Sequence, residues 1–204
     1  VSELGGGLVM VGGPDSFGAG GWRGQPLEAA LPVKLDLPER MVIPAVALVI
    51  VMDCSGSMGL RVSGSVRSQQ DVANEGAAIA LRSLDKSDLV GVIQFDSNAD
   101  EVVPLGKHTD PDKTERLTRA IYPRGGTNMP PALEMAHAQL KAVEAKVKHV
   151  VVLSDGVSMG RNRLSGIAEK MATDGIKLSA ISVGDMADNE GMEAMARAGG
   201  GTYF

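Results

Sequence analysis

Five oxygen-bearing side chains in three separated segments could act together. They are Asp53, Ser55 and Ser57 in Asp53-Cys54-Ser55-Gly56-Ser57-Met58, Thr127 in Gly125-Gly126-Thr127-Asn128, and Asp155 in Ser154-Asp155-Gly156. Carboxylate and hydroxyl oxygens are hard donors, suited to Mg²⁺, Mn²⁺ or Ca²⁺ rather than to zinc or copper. Two carboxylates brought close repel, and each raises the proton affinity of the other; a divalent cation between them removes that penalty. Mg²⁺ usually keeps water ligands, so such a site has an open position. The donor set leaves room for one more anion, and an acidic side chain of a partner protein suits it. Taken alone, the Asp-x-Ser-x-Ser turn has a second reading, a capped loop whose hydroxyls satisfy backbone donors.

The elements that would position these oxygens can be read from the pattern. The apolar run Val46–Met52 has no polar interruption and reads as a strand buried on both faces of a parallel sheet, with Asp53 just past its end. A helix is expected from Gln69 to about Leu84, with Val72, Gly76, Ile79, Ala80 and Leu84 on or near one face. Leu89–Phe95 reads as the second strand, and Glu101–Pro104 as a short strand at a sheet edge, where proline and acids are tolerated. Asp110-Pro111-Asp112 opens a helix reaching about Tyr122, and Pro130-Pro131 opens another reaching about Ala145. His149–Leu153 is a third core strand and places Asp155 just past its end. A helix over Leu164–Thr173, a strand over Lys177–Val183, a helix over Asn189–Ala198 and a strand starting at Thr202 complete the chain. Alternation of this kind marks an α/β, doubly wound, mostly parallel sheet. In such sheets ligands bind outside the carboxyl ends of the strands, where neighbouring connections leave in opposite directions. If the strands before Asp53 and Asp155 are neighbours, the five oxygens can converge there.

The chain before residue 45 differs in character. Residues 1–24 hold nine of the 26 glycines, and Pro26, Pro32, Pro38 and Pro44 follow. We read residues 1–32 as a Gly-rich fragment of a preceding domain and 33–44 as a proline-containing linker. A phosphate-cradling loop is the other reading of the opening, but no Gly-Lys-Ser/Thr follows Gly13. The chain begins at Val1 and reads as a piece of a longer protein. A formal charge of −5 and the absence of a basic stripe argue against a nucleic-acid partner. No apolar run reaches the ~18 residues that would span a membrane. The single cysteine, Cys54, allows no internal disulfide.

Asp53-x-Ser55-x-Ser57, Thr127 in Gly-Gly-Thr-Asn and Asp155 in Leu-Ser-Asp-Gly together resemble the metal-ion-dependent adhesion site of the von Willebrand factor type A domain family. Gly91–Phe95 and Ala198–Tyr203 fit the same family, and the resemblance covers residues 45–204. It implies a Rossmann-like sheet of six strands, one antiparallel at the edge, with helices on both faces. It also implies a divalent cation, Mg²⁺ first, held by Asp53, Ser55, Ser57, Thr127 and Asp155. The expected function is a non-enzymatic protein-binding module whose cation bridges to an Asp or Glu of a partner. Met58, Asn128, Met129 and Ser158 are the candidates for a rim contacting that partner. A subunit of an ATPase-driven assembly is the alternative, and a metal-assisted hydrolase ranks below it for want of a placed general base. Residues 1–32 resemble the end of a glutamine-amidotransferase-like domain that precedes such modules in large bacterial membrane-associated proteins. The setting that this implies is the soluble, extracytoplasmic part of such a protein.

Other candidate groups carry blander readings. Cys54 could be a redox switch beside a metal or a small buried hydrophobe. His108, His137 and His149 are scattered, with no partner at zinc spacing. Ser55 as a nucleophile lacks a His–acid pair to activate it. Asp53 as a phosphotransfer nucleophile would want an acid two residues on, where Ser55 stands.

Overall fold

Val46–Asp53 forms β1, the strand around which the sheet is built, and its last five residues are all buried. In the computed structural model the described residues are 46–156, 158–184 and 188–204. The chain divides between Ile43 and Pro44. The Gly-rich fragment, its amidotransferase-like resemblance and the linker all lie outside the described residues. Among the described residues no helix is long and apolar enough to cross a membrane.

The remaining strands are β2 (Leu89–Phe95), β3 (Ala99–Lys107), β4 (Val147–Ser154), β5 (Ile176–Ser182) and β6 (Gly200–Tyr203), in the order β3-β2-β1-β4-β5-β6. Every neighbouring pair is parallel except β2 with β3. β3 is longer than the expected Glu101–Pro104. Its proline is tolerated because an edge strand leaves half of its amides unpaired.

The helices are α1 (Gln69–Arg82), α2 (Pro111–Arg119), α3 (Pro130–Lys141), α4 (Arg161–Thr173) and α5 (Asn189–Ala198). Two apolar clusters fill the two faces of the sheet. Val49 and Val51 of β1 pack with Leu133 and Leu140 of α3, Met171 of α4 and Met195 of α5. Ile50 and Met52 point the other way, to Ala73, Ala77 and Leu81 of α1. Successive β1 residues thus feed opposite cores, as the period of two requires.

The burial of α1 corrects the expected face. Val72 and Ile79 are exposed, and Ala73, Ala77 and Leu81 are buried. Small side chains at i and i+4 let the helix lie close on the sheet, and larger ones there would hold it off. Two polar residues, Gln70 and Asn74, are buried beside them. Asn74 Nδ2 donates to the carbonyls of Arg119 and Ile121, which tie off the end of α2.

Gly199-Gly200-Gly201 ends α5 and also sets the spacing of β6. A Cβ at Gly201 would stand 2.1 Å from the Leu178 carbonyl oxygen of β5. Backbone fills the place of a side chain there.

Candidate metal centre

β1 and β4 are neighbours in register, with Met52 opposite Leu153. Asp53 and Ser154 therefore end adjacent strands side by side. The chain leaves β1 toward α1 on one face of the sheet, and α3 brings it to β4 across the other. That reversal opens the crevice expected at a topological switch point.

Four of the five predicted oxygen donors meet in that crevice as one hydrogen-bonded chain. Ser154 Oγ donates to Asp53 Oδ2 at 2.5 Å. Asp53 Oδ1 accepts the Ser55 amide at 2.8 Å. The Ser55 and Ser57 hydroxyls stand 3.1 Å apart, and Ser57 Oγ donates to Asp155 Oδ1 at 3.0 Å. The ordering has a local cause. Ser55 has extended backbone and precedes a single 3-10 turn, Gly56–Gly59, so the two serines present their hydroxyls from consecutive alternate positions.

Thr127 arrives on a separate loop tied to both of the others. The Gly56 amide donates to the Gly125 carbonyl and the Arg124 amide to the Cys54 carbonyl. On the other side the Met159 amide donates to the Thr127 carbonyl at 2.9 Å. Thr127 Oγ1 has no hydrogen-bond partner among the described residues. A hydroxyl left over on a loop laced to both carboxylate loops is a donor available to a ligand.

The electrostatics fit a cation. Burial pushes the Asp53 carboxyl above the ordinary carboxylate range; the bonds from Ser154 and Ser55 pull it back, and the Asp155 charge adds to the rise. Burial likewise raises Asp155, against the bond from Ser57. Both carboxylates thus bind a positive charge more readily than exposed ones would. Among the described residues no group of three His, Cys, Asp or Glu could hold a metal. A cation here would depend on hydroxyl oxygens as well as the two carboxylates, which is a hard-cation donor set.

The rim candidates need correction. Met58 and Met129 are fully buried. Met58 points from the 3-10 turn into the α1-side core, and Met129 from the Thr127 loop into the α3-side core. They root the two loops and cannot line a surface. Ser158 is buried as well, with Oγ accepting from the Met129 amide and donating to the Met159 carbonyl at 2.8 Å each. Asn128 stays half-exposed and turns onto the Ser97 carbonyl.

Cys54 is a buried hydrophobe. Its thiol donates to the Phe95 carbonyl at 3.3 Å, and burial pushes it up to about 12, so the reactive thiolate is not formed near neutral pH. His137 is bound to Asp174 and His149 to Ser179, and His108 is buried at the end of β3.

Gln69, the first residue of α1, was not foreseen. It is buried, and its amide nitrogen, directed at the two acceptors, donates to Asp155 Oδ2 at 2.7 Å and to the Val183 carbonyl at 3.2 Å. With Ser57 on the other oxygen, both Asp155 oxygens are then fixed. Gly184 makes the room: its φ is 96°, and a Cβ there would stand 2.6 Å from the Gln69 side-chain amide carbon. Gln69→Leu keeps the volume and removes the donor. It is expected to weaken divalent-cation binding about tenfold, as loss of an outer-shell partner does. Calorimetric titration checks this, and unchanged affinity would remove Gln69 from the site.

The von Willebrand factor type A domain family matches residues 47–204. A search of curated proteins finds no match. Among solved structures, BatB from Bacteroides thetaiotaomicron is similar, with a TM-score of 0.68 at 19% identity, covering 78% of this chain and 88% of that one. A von Willebrand factor type A protein from Catenulispora acidiphila has a TM-score of 0.68 at 22% identity, over 78% of this chain and 38% of that one. The PilB minor pilin from Streptococcus sanguinis has a TM-score of 0.65 at 16% identity, over 84% and 58%. At these identities the likeness is one of fold. With the six-stranded sheet and a match over most of its length, the chain belongs to the von Willebrand factor type A domain family, whose members in general mediate protein–protein interaction.

Proposed function

We propose that the chain is a non-enzymatic, metal-dependent binding module that recognises a carboxylate on a partner protein. Asp53, Ser55, Ser57, Thr127 and Asp155 would hold the divalent cation, with Mg²⁺ first and Mn²⁺ or Ca²⁺ as alternatives. The observation that carries the reading is the chain of hydrogen bonds from Ser154 through Asp53, the Ser55 amide, and the Ser55 and Ser57 hydroxyls to Asp155 at the β1/β4 crevice. When bound, a divalent cation supplies the positive charge these carboxylates lack and an open position for an incoming Asp or Glu. The chain's own residues do the rest. Ser154 and the Ser55 amide orient Asp53, and Gln69 and Ser57 orient Asp155. Met58 and Met129 anchor the loops so that the donors keep their places without the partner.

The test is calorimetric titration of the metal-stripped protein with Mg²⁺, Mn²⁺ and Ca²⁺. Saturable binding of at least one at a single site is expected. Binding of none would sink the reading. Hydrolysis of phosphate or ester substrates, lost on replacing Asp53, would favour an enzyme instead.

A further inference from the structure

The loops that bring the oxygens together also carry an unusual surface. Leu60, Tyr122 and Met159 are 59%, 60% and 58% exposed. Each belongs to a different one of the loops around the candidate centre. The Leu60 amide closes the 3-10 turn onto the Ser57 carbonyl at 2.9 Å, so Leu60 ends the turn that carries the last motif serine. Met159 is paired through its amide to the Thr127 carbonyl. Tyr122 precedes Pro123, against which Gly59 lies: a Cβ there would be 3.6 Å from the proline ring.

Two cations accompany these apolar side chains. Arg124 stacks on Tyr122, with its guanidinium carbon 5.3 Å from the ring centre, and its Nε donates to Asp96 at 2.9 Å. The pair is therefore held in place before any partner arrives. Arg61 is exposed, follows Leu60 in the chain and makes no ion pair among the described residues. Tyr and Arg are the residue types that dominate interface energies, and a pre-placed Tyr–Arg pair loses little freedom on binding; exposed Leu and Met beside it add apolar area to cover. Arg124 is already paired with Asp96 and Asp100, so Arg61 is the charge left to favour an acidic ligand.

We propose that Leu60, Tyr122 and Met159, with Arg61 and Arg124, form the specificity rim of the centre. The segment that fits is one of a protein in which the bridging Asp or Glu is flanked by apolar side chains. This rests on the metal-bridged reading above. The carboxylate supplies the metal-dependent part of the contact, and the flanking residues cover the rim.

The experiment uses short synthetic peptides with a central Asp, flanked by either Leu or Ser and displayed densely on beads so that avidity offsets weak single contacts. Capture of the full chain is measured in Mg²⁺, in Mn²⁺ and in EDTA. Leu-flanked peptides are expected to capture about tenfold more protein than Ser-flanked ones, equivalent to about 1.4 kcal/mol. In EDTA both are expected to fail. A variant combining Leu60→Ser, Tyr122→Ser and Met159→Ser should lose the preference while keeping wild-type cation affinity, which also shows that it folds. Metal-dependent capture with no flank preference, or a preference surviving the triple variant, overturns the rim and leaves the metal-bridged reading intact. No metal-dependent capture of either peptide overturns the metal-bridged reading and the rim with it.

Discussion

Replacing Asp53 with alanine is expected to abolish divalent-cation binding, with affinity falling by more than ~100-fold, beyond the usual loss for an outer-shell residue. Asp53 is fully buried at the end of β1 and is the most enclosed oxygen donor of the set. Its removal leaves Ser154 and the Ser55 amide pointing at a gap. The readout is thermal. At a cation concentration ~100 times the dissociation constant, binding should stabilise the wild type by about 2.7 kcal/mol. For a domain of this size that is a rise in Tm of roughly 5–10 °C. Asp53→Ala should show no rise while unfolding cooperatively. A variant whose Tm still climbs with Mg²⁺ or Mn²⁺ would place the cation elsewhere.

The second large effect is on pH dependence in the absence of metal. The folded-state carboxyls of Asp53 and Asp155 lie above their ordinary value of 3.8. The folded protein therefore holds these protons more tightly than the unfolded chain. Their contribution to stability is present in full below 3.8 and is lost as pH rises through the raised folded-state values. In EDTA, at pH above those raised values, the ionised carboxylates work against folding. Asp53→Asn should then stabilise the metal-free protein by about 1–3 kcal/mol, the range for relieving a poorly compensated buried group. The gain should shrink on acidification. The exposed Asp71 and the half-buried, ion-paired Asp96 are shifted downward and act in the opposite sense, so the difference between wild type and variant is the quantity to follow. In saturating Mg²⁺ the sign reverses, because protonation competes with the cation. Denaturant unfolding of both proteins across pH, with and without Mg²⁺, measures all of this. An Asp53→Asn protein less stable than wild type in EDTA at pH 7 would show that the carboxylate is already well compensated without metal.

Much of this site was legible in the sequence, for a physical reason. A strand buried on both faces must be apolar throughout, so the abrupt change from Val46–Met52 to Asp53-Cys54-Ser55 marks the strand end. The same contrast marks Ser154-Asp155. What failed was orientation within short segments. Met58 and Met129 sit next to donors in the chain, but in a turn neighbouring side chains diverge, and both methionines face inward. On α1 the larger side chains Val72 and Ile79 suggested the buried face. Close packing on the sheet assigns that face to alanines. Gln69 gave no signal, because a polar residue at a helix start, between Ser68 and Asp71 of a capping box, reads as solvated. Its role depends on Asp155, which lies far along the chain and is brought beside it only when β4 pairs with β1.

That pairing has a kinetic meaning. Ser57 and Asp155 are 98 residues apart in sequence, and Asp53 and Ser154 are 101 apart. Closing so long a loop comes before any reward from the contacts it brings, so the centre is assembled late in folding. A cation would find its donors together only after the central sheet has zipped. It should act as a latch on the finished domain, slowing unfolding and leaving the folding rate nearly unchanged. A refolding rate that rose with Mg²⁺ would mean instead that these distant loops meet early.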